Sequence, residues 1–209
     1  MSVFHAGFDP SGQSVRVRFE GAARRNLGPE LDLLGASRAL VLTTPQQAGQ
    51  GEEIVGTLGA RAVGLFPDAT MHTPVEVTET AMVEVTAREV DCVIAIGGGS
   101  TIGLSKAIAY RTDLPQIVLP TTYAGSEATP VLGQTENAVK TTLKSPKVQP
   151  EVIIYDPELV ATLPRAMTVT SGLNAMAHAV EALFSPEANR LSDELALAGI
   201  RAFAGGLPK

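Results

Sequence analysis

Short apolar runs alternate along the chain with segments in which apolar residues recur every three or four positions. The runs predict strands at residues 14–20, 39–44, 62–66, 92–96, 116–119 and 152–155. The recurring positions predict helices at residues 27–34, between 45 and 59, at 74–88 and from near Ser100 onward. Strands that alternate with helices of this length predict a parallel sheet with right-handed crossovers.

The pattern changes in the second half of the chain. Residues 131–135 and 138–143 predict a β-hairpin across Glu136 and Asn137. From Pro157 onward strand patterns end, and residues 169–184 and 191–203 have helical spacing, with a stop expected at Gly205-Gly206-Leu207-Pro208. The sequence therefore predicts an α/β fold, with a Rossmann-like parallel-sheet nucleotide-binding domain at residues 1–159 and the start of an all-α domain at residues 160–209. Two or three helices are too few to close an independent core, so the second domain is expected to be incomplete.

A glycine-rich turn ends the most apolar of the predicted strands. The run 92–96 is long enough for a strand buried on both faces and stops at Gly97-Gly98-Gly99, after which Ser100 can cap a helix. Three glycines exceed what one tight turn needs, and they let a ligand approach the N–H groups of a helix N-terminus. The turn therefore favours a pyrophosphate site over a plain connection. It departs from the usual dinucleotide fingerprint, whose third glycine would stand where this chain has Ile102.

Composition and charge exclude several classes of protein. With 44% hydrophobic and 18% charged residues the chain is typical of a soluble globular protein. A net charge of −6 and the lack of any Lys or Arg run argue against a nucleic-acid partner. The N-terminus lacks the pattern of a secretory signal, and no apolar run approaches membrane length. Cys92 is expected to be an inert core thiol, which fits a reducing compartment, so we expect a cytoplasmic protein without a membrane partner.

A second polar loop follows the predicted strand at residues 116–119. Pro120-Thr121-Thr122-Tyr123-Ala124-Gly125-Ser126-Glu127 carries four hydroxyl groups and a glycine. In an open parallel sheet, ligands bind at loops that leave the carboxyl ends of strands. The alternative is a surface loop whose hydroxyls bond to local backbone. Two polar loops that leave successive strands favour one shared site.

Other candidate residues are less specific on spacing alone. Asn174 and His178 lie four apart on one face of a predicted helix and could face a cleft between domains. A lone histidine on an apolar helix is more often structural, and His5 and His72 offer no spacing that completes a metal site. Lys140, after the hairpin turn, is by default a solvated lysine.

Four ordered motifs resemble the iron-containing alcohol dehydrogenase family, which has the dehydroquinate synthase-like fold. They are the glycine turn 97–100, the loop 120–127, Tyr155-Asp156-Pro157, and the helix Ser171-Gly172-Leu173-Asn174-Ala175-Met176-Ala177-His178-Ala179-Val180-Glu181-Ala182. Within the family, Met71-His72-Thr73-Pro74, Thr101-Ile102-Gly103-Leu104, Tyr123 and Asn174 look most like the maleylacetate reductase branch. That branch reduces the conjugated double bond of maleylacetate to 3-oxoadipate in aromatic-compound degradation. Family members continue into a full helical domain, so this chain is expected to be truncated at its C-terminus.

The resemblance implies an NADH or NADPH site and assigns residues to it. Gly97, Gly98, Gly99 and Ser100 would bind the pyrophosphate, Thr121, Thr122 and Ser126 would line the rest of the site, and Lys140 would approach the ribose. His178 would be catalytic, beside the nicotinamide. Asn174 and His178 occupy the positions of family metal ligands, but Asn174 replaces an aspartate, so no metal is expected to be required. The resemblance also implies a homodimer that acts on a small dicarboxylate.

Thr43-Thr44-Pro45, at the end of the first predicted parallel strand, bears on the choice of cofactor. We count Thr43 among the cofactor-binding residues. The segment has no carboxylate that would bind a ribose diol or repel a 2′-phosphate, so NADH and NADPH are both expected to serve. Two other functions stay open, a metal-dependent alcohol dehydrogenase and a non-catalytic fragment that retains a nucleotide-binding domain.

Overall fold

The computed structural model describes residues 2–6, by their backbone alone, and residues 14–207. Contacts divide the chain into two compact units. The first contains the residues up to Thr121 together with Ser126–Ala161, and the second contains Thr122–Gly125 together with the residues from Thr162 onward. The domain limits expected from the sequence, 1–159 and 160–209, remain a proposal. No sequence pattern indicated that residues 122–125 belong with the later helices.

The first unit contains nine strands and five α-helices among the described residues. In chain order they are β1 (Ser2–Ala6), β2 (Val15–Phe19), α1 (Leu27–Leu34), β3 (Ala39–Leu42), α2 (Ala48–Leu58), β4 (Ala62–Phe66), α3 (Val75–Ala87), β5 (Cys92–Gly97), α4 (Gly99–Thr112), β6 (Gln116–Pro120), β7 (Val131–Glu136), β8 (Val139–Lys144), β9 (Val152–Tyr155) and α5 (Pro157–Val160). Each strand and helix predicted for residues 14–155 is present, with ends that differ by a few residues.

Seven of these strands form one sheet in the order β1-β2-β9-β6-β5-β3-β4. All neighbours are parallel except β1, which pairs antiparallel with β2. The predicted α/β fold with a Rossmann-like parallel sheet is confirmed. Strand β1 was not predicted. Its five residues have polar residues at Ser2 and His5, so polar and apolar residues do not alternate along it.

Alternate residues of the central strand β5 explain why helices cover both faces of the sheet. Cys92, Ile94 and Ile96 pack in one apolar cluster with residues of α1 and α2. Val93 packs in another with residues of α3 and α4. Every residue of β5 is buried, as its unbroken apolar run predicts.

Two local predictions were wrong by one or two residues. Helix α4 begins at Gly99 with Gly98 as its N-cap, so Ser100 lies in the first turn and does not cap the helix. The β7–β8 hairpin turns at Asn137 and Ala138 rather than at Glu136 and Asn137. Asn137 and Ala138 adopt left-handed φ angles of 49° and 62°. A turn with two positive φ angles matches the twist of the strands that it joins.

The second unit consists of helices α6 (Arg165–Ala182) and α7 (Arg190–Gly206) and the short segment 122–125. Tyr123 ties that segment to the helices, since its backbone N–H donates to Ser171 Oγ at 2.9 Å and its ring packs edge-on against Phe203, with centroids 5.2 Å apart. The helical end predicted near residue 205 is present, whereas Pro208 lies outside the described residues. None of the described helices combines the length and the apolar character needed to cross a membrane.

A fully buried carboxylate, that of Asp156, fastens the end of β9 to the segment that follows β2. Its oxygens accept hydrogen bonds from the backbone N–H groups of Ala22 and Glu158, both at 3.1 Å. Arg24 donates to it from the side chain at 2.7 Å and from the backbone at 3.3 Å. A buried charge is unfavourable unless it is paired in this way, so the carboxylate and its partners depend on each other.

We expect Asp156→Ala to lower the free energy of unfolding by about 3 kcal/mol, because Arg24 and two backbone N–H groups lose their acceptor. Glu158→Ala is the matched control. Glu158 pairs with the same guanidinium at 2.9 Å but is exposed, so its loss should cost less than about 1 kcal/mol. Urea unfolding of the three proteins measures both values, and equal effects would contradict the role assigned to Asp156.

Candidate functional site

Three neighbouring strands end at the same edge of the sheet. Leu42 of β3 stands opposite Ala95 of β5, and Gly97 of β5 stands opposite Pro120 of β6. The loops that leave these strands are hydrogen-bonded to one another. The Thr121 N–H donates to the Gly97 carbonyl at 3.0 Å, and Gln47 Nε2 donates to Thr121 Oγ1 at 2.9 Å. The sheet therefore brings the two polar loops found in the sequence together.

The glycine turn leaves room beside the N-terminus of α4. Gly97 has a φ of 155°, and a Cβ there would overlap Thr101 and lie 2.9 Å from Gln47 Oε1. Gly99 is different, since a Cβ at Gly99 would have no neighbour within 4 Å. No side chain caps the helix. The first N–H groups of α4 thus lie beside open space, which is the arrangement that binds phosphate groups at helix N-termini.

A cleft of about 310 Å³ lies beside the first two turns of α4. Three segments line it, namely Met71, His72 and Thr73; Gly99, Ser100, Gly103 and Lys106; and Ser126, Val131, Leu132, Gly133 and Lys140. Four residues predicted to bind the cofactor, Gly99, Ser100, Ser126 and Lys140, are therefore in one place. The lining contains two lysines and a histidine but no carboxylate, in a chain with a net charge of −6. This charge distribution favours an anionic ligand.

A strained turn forms one wall of the cleft. His72 and Thr73 have φ angles of 69° and 48°, a left-handed conformation that is rare for a β-branched residue. Hydrogen bonds hold the turn, because the Thr135 N–H donates to the Thr73 carbonyl at 3.1 Å. The Thr73 side chain lies against Gly103 of α4, where an added Cβ would overlap Thr73 Oγ1. Sequence analysis assigned this turn no role, although an isolated glycine within a helix signals such close packing.

Sequence analysis also missed Lys106. It lies on α4 and is fully buried, and burial lowers its pKa to about 8 against the opposing effect of the Glu127 carboxylate. A lysine in a helix is usually solvated, so it attracted no attention. The signal was its surroundings, since no other charged residue occurs between Ile102 and Ala109.

Other predicted residues lie outside the cleft. Thr121 is buried behind it and bonded to Gln47, as described above. Thr43 is buried beneath α2, where a Cβ at Gly51 would lie 2.8 Å from its methyl group. Thr43 is not among the residues that line the cleft. Thr122 belongs to the second unit.

His178 and Asn174 also belong to the second unit, where both are exposed on α6. His178 Nδ1 lies 3.2 Å from Glu181 Oε2. A carboxylate at this distance from an imidazole nitrogen orients the ring. The helical spacing expected from the sequence is present, since both residues lie within Arg165–Ala182.

The family to which this architecture belongs follows from comparison with known proteins. Residues 14–157 match the family described as iron-containing alcohol dehydrogenase, and residues 168–209 match the C-terminal part of the same family. The chain belongs to the iron-containing alcohol dehydrogenase family. The resemblance noted in the sequence is thereby confirmed.

The chain is similar to several individual members of the family. Over 93% of its length the chain is 55% identical to maleylacetate reductase from Rhizobium sp. strain MTP-10005. It is also similar to the solved structure of maleylacetate reductase from Agrobacterium tumefaciens, with a TM-score of 0.90 and 55% identity over 93% of this chain and 55% of that one. A more distant structure, sulfoacetaldehyde reductase from Bifidobacterium kashiwanohense in complex with NAD+, has a TM-score of 0.88 and 25% identity over 94% of this chain and 59% of that one. The chain spans about half the length of the curated relatives that it matches.

The family name implies iron, and the residues described here do not by themselves make an iron site. Among residues 14–207, no group of three or more His, Cys, Asp or Glu side chains could hold a metal ion. Asn174 and His178 would offer one neutral amide and one imidazole, whereas iron and zinc sites use several imidazole, thiolate or carboxylate ligands. A dinucleotide fits the described residues better, because the open space at Gly99 and the cationic lining of the cleft suit a pyrophosphate.

We expect Gly103→Ala to lower the free energy of unfolding by about 1–3 kcal/mol, because the added Cβ would overlap Thr73 Oγ1 in a turn that is already strained. Gly56→Ala in α2 is the control. Gly56 has open space around it, so alanine should stabilise the helix by up to about 1 kcal/mol. Opposite signs in urea unfolding are the expected result. A stabilising effect of Gly103→Ala would contradict the close contact.

Proposed function

We propose that the protein reduces maleylacetate to 3-oxoadipate with NADH or NADPH. The observation that carries the proposal is the 55% identity, over nearly the whole chain, to a protein named maleylacetate reductase. The cleft supports it independently, because two lysines and a helix N-terminus of an acidic chain border a space whose lining has no carboxylate.

For the cofactor, we propose that Gly97, Gly98, Gly99 and Ser100 bind the pyrophosphate and that Ser126 and Lys140 contact neighbouring parts of the dinucleotide. Thr121 would hold the turn from behind through its hydrogen bond to the Gly97 carbonyl. The bound nicotinamide supplies a hydride. The protein would supply backbone N–H groups for the phosphates and a lysine ammonium for the ribose.

For the substrate, we propose that His178 donates a hydrogen bond or a proton. Reduction of a double bond conjugated to a ketone places negative charge on the keto oxygen. A hydrogen-bond donor or a cation can stabilise that charge without a Lewis acid. The neutral Asn174, where metal-using relatives are expected to have an aspartate, supports a reaction that does not require metal. A cytoplasmic homodimer remains a prediction.

We expect the chain to bind NADH and NADPH with dissociation constants within about a hundredfold of each other, or about 2.7 kcal/mol, since Thr43-Thr44-Pro45 offers no carboxylate. Gly98→Asp should weaken both by at least about tenfold, because it adds a negative charge beside the pyrophosphate. Titration of the nicotinamide fluorescence measures both effects.

Gly56→Asp is the control for that substitution, since it adds the same charge at an exposed position of α2 outside the cleft. It should leave both affinities unchanged. Unchanged affinity in Gly98→Asp would show that the glycine turn is purely structural. A stronger preference between NADH and NADPH would contradict the reasoning from residues 43–45.

We expect the purified protein to oxidise NADH when maleylacetate is added, to form 3-oxoadipate, and to keep this activity after exhaustive chelation. His178→Ala should lower kcat by about 10²- to 10⁴-fold, the usual contribution of a positioned proton donor. Activity that EDTA abolishes and iron restores would favour a metal-dependent alcohol dehydrogenase. Tight NADH binding without hydride transfer to maleylacetate would favour a non-catalytic nucleotide-binding fragment.

A further inference from the structure

Lys106 is a buried cation that the proposed reaction does not use. It shares one face of α4 with Gly99 and Gly103, since positions four and seven residues apart lie one above the other on a helix, and all three residues line the cleft. A fully buried lysine is rare unless its ammonium group is fully bonded. The partners of Lys106 therefore indicate what it does.

The ammonium group of Lys106 is surrounded by oxygens from a single neighbouring segment, residues 126–131. Nζ donates to the backbone carbonyls of Ser126, Thr129 and Val131 at 2.5, 2.6 and 2.9 Å. Thr129 Oγ1 lies a little further away, at 3.3 Å. A protonated lysine has three N–H donors, and three carbonyls accept them. The match is complete only while the amine is protonated.

The segment held by Lys106 forms one side of the cleft. Ser126 and Val131 line it directly, and β7 and β8 continue from the segment to Lys140, which also lines it. Helix α4, which carries Lys106, begins at the glycine turn on the other side. One side chain thus joins the two walls between which an anionic ligand would lie.

We propose that Lys106 is a positioning residue for nucleotide binding, whose protonated amine fixes residues 126–131 against α4 and so sets the spacing of the cleft around the dinucleotide phosphates. This inference rests on the proposed function, because it assumes that the cleft binds a dinucleotide. It assigns Lys106 no contact with the reacting atoms.

The charges around Lys106 give this role a pH dependence. Glu127 acts on it from the segment itself and accepts a hydrogen bond from Tyr155 at 3.1 Å, while His72 and Lys140 are the other titratable groups that line the cleft. Burial lowers the pKa of Lys106 to about 8. Above that pH a neutral amine has only two N–H donors for three carbonyls. Dinucleotide affinity should therefore fall as the pH rises through about 8.

Stability should change with the opposite sign, which separates positioning from a merely structural role. The folded-state pKa of about 8 lies below the ordinary value of 10.5, so between these values the unfolded chain binds more protons than the folded one. The contribution of Lys106 to the free energy of unfolding therefore rises with pH across this window. A residue that affected binding only through stability would make affinity rise as well.

The test measures NADH affinity of the 209-residue chain by fluorescence at pH values below and above about 8, with urea unfolding at each pH. For the unsubstituted chain we expect affinity to fall about tenfold, or about 1.4 kcal/mol, across the transition. Lys106→Met should bind, at every pH, about as weakly as the unsubstituted chain binds above the transition, which is about tenfold weaker than that chain below it. Lys106→Arg keeps its charge at every pH and should bind without a transition near pH 8. Lys144→Met makes the same change at an exposed lysine outside the cleft and should keep the original profile.

Two results would overturn the inference while NADH still binds. One is an affinity that does not change across pH 8 in the unsubstituted chain, and the other is a transition that persists in Lys106→Met or Lys106→Arg. If Lys106→Met fails to fold in the urea measurement, the pH profiles of NADH affinity of the unsubstituted chain and of Lys106→Arg decide whether the inference stands. Absence of NADH binding to the unsubstituted chain at every pH would instead overturn the proposed function, and this inference with it.

Discussion

The burial of nine successive residues in the middle of helix α4 is the constraint on which the first unit depends. Every residue from Thr101 to Ala109 is buried, because the helix packs on the sheet through Leu104 and Ile108 and on the β7–β8 region through Ala107. A helix enclosed on all sides cannot shift without breaking contacts on every side. It therefore holds the glycine turn at its N-terminus in a fixed position.

Enclosure of α4 also explains the residue types found there. Gly103 lacks a side chain where Thr73 packs against the helix, and Lys106 replaces an apolar residue where three carbonyls need donors. Ser105 donates to Gln116 at 2.9 Å for the same reason, since buried polar groups need partners. At these three positions, Gly103, Ser105 and Lys106, the residue type thus matches what the surroundings require.

The sheet and the glycine turn could be predicted because their signals are local. An unbroken apolar run such as 92–96 gives a buried strand, and three successive glycines mark a turn, whatever the rest of the chain does. The strained turn at His72 and Thr73 could not be predicted, because its conformation is imposed by α4 and β7. Ser126 belongs to the polar loop that was expected at the site, Lys140 was assigned to it through family resemblance, and both line the cleft. Thr43 was predicted to bind the cofactor only because it lies near the end of a strand, and it is buried.

The order of strands in the sheet sets when the first unit can assemble. Strand β2 pairs with β9, so residues 16–19 find their parallel partner only in residues 152–155, and Asp156 closes a contact over 134 residues to Ala22. Pairings so distant in sequence are slow to form, because closing the long intervening loop costs conformational entropy. During synthesis, β1 and β2 must wait as an unattached hairpin until nearly the whole unit has emerged from the ribosome. Strands β1 and β2 are thus made well before β9, the strand that joins them to the rest of the sheet.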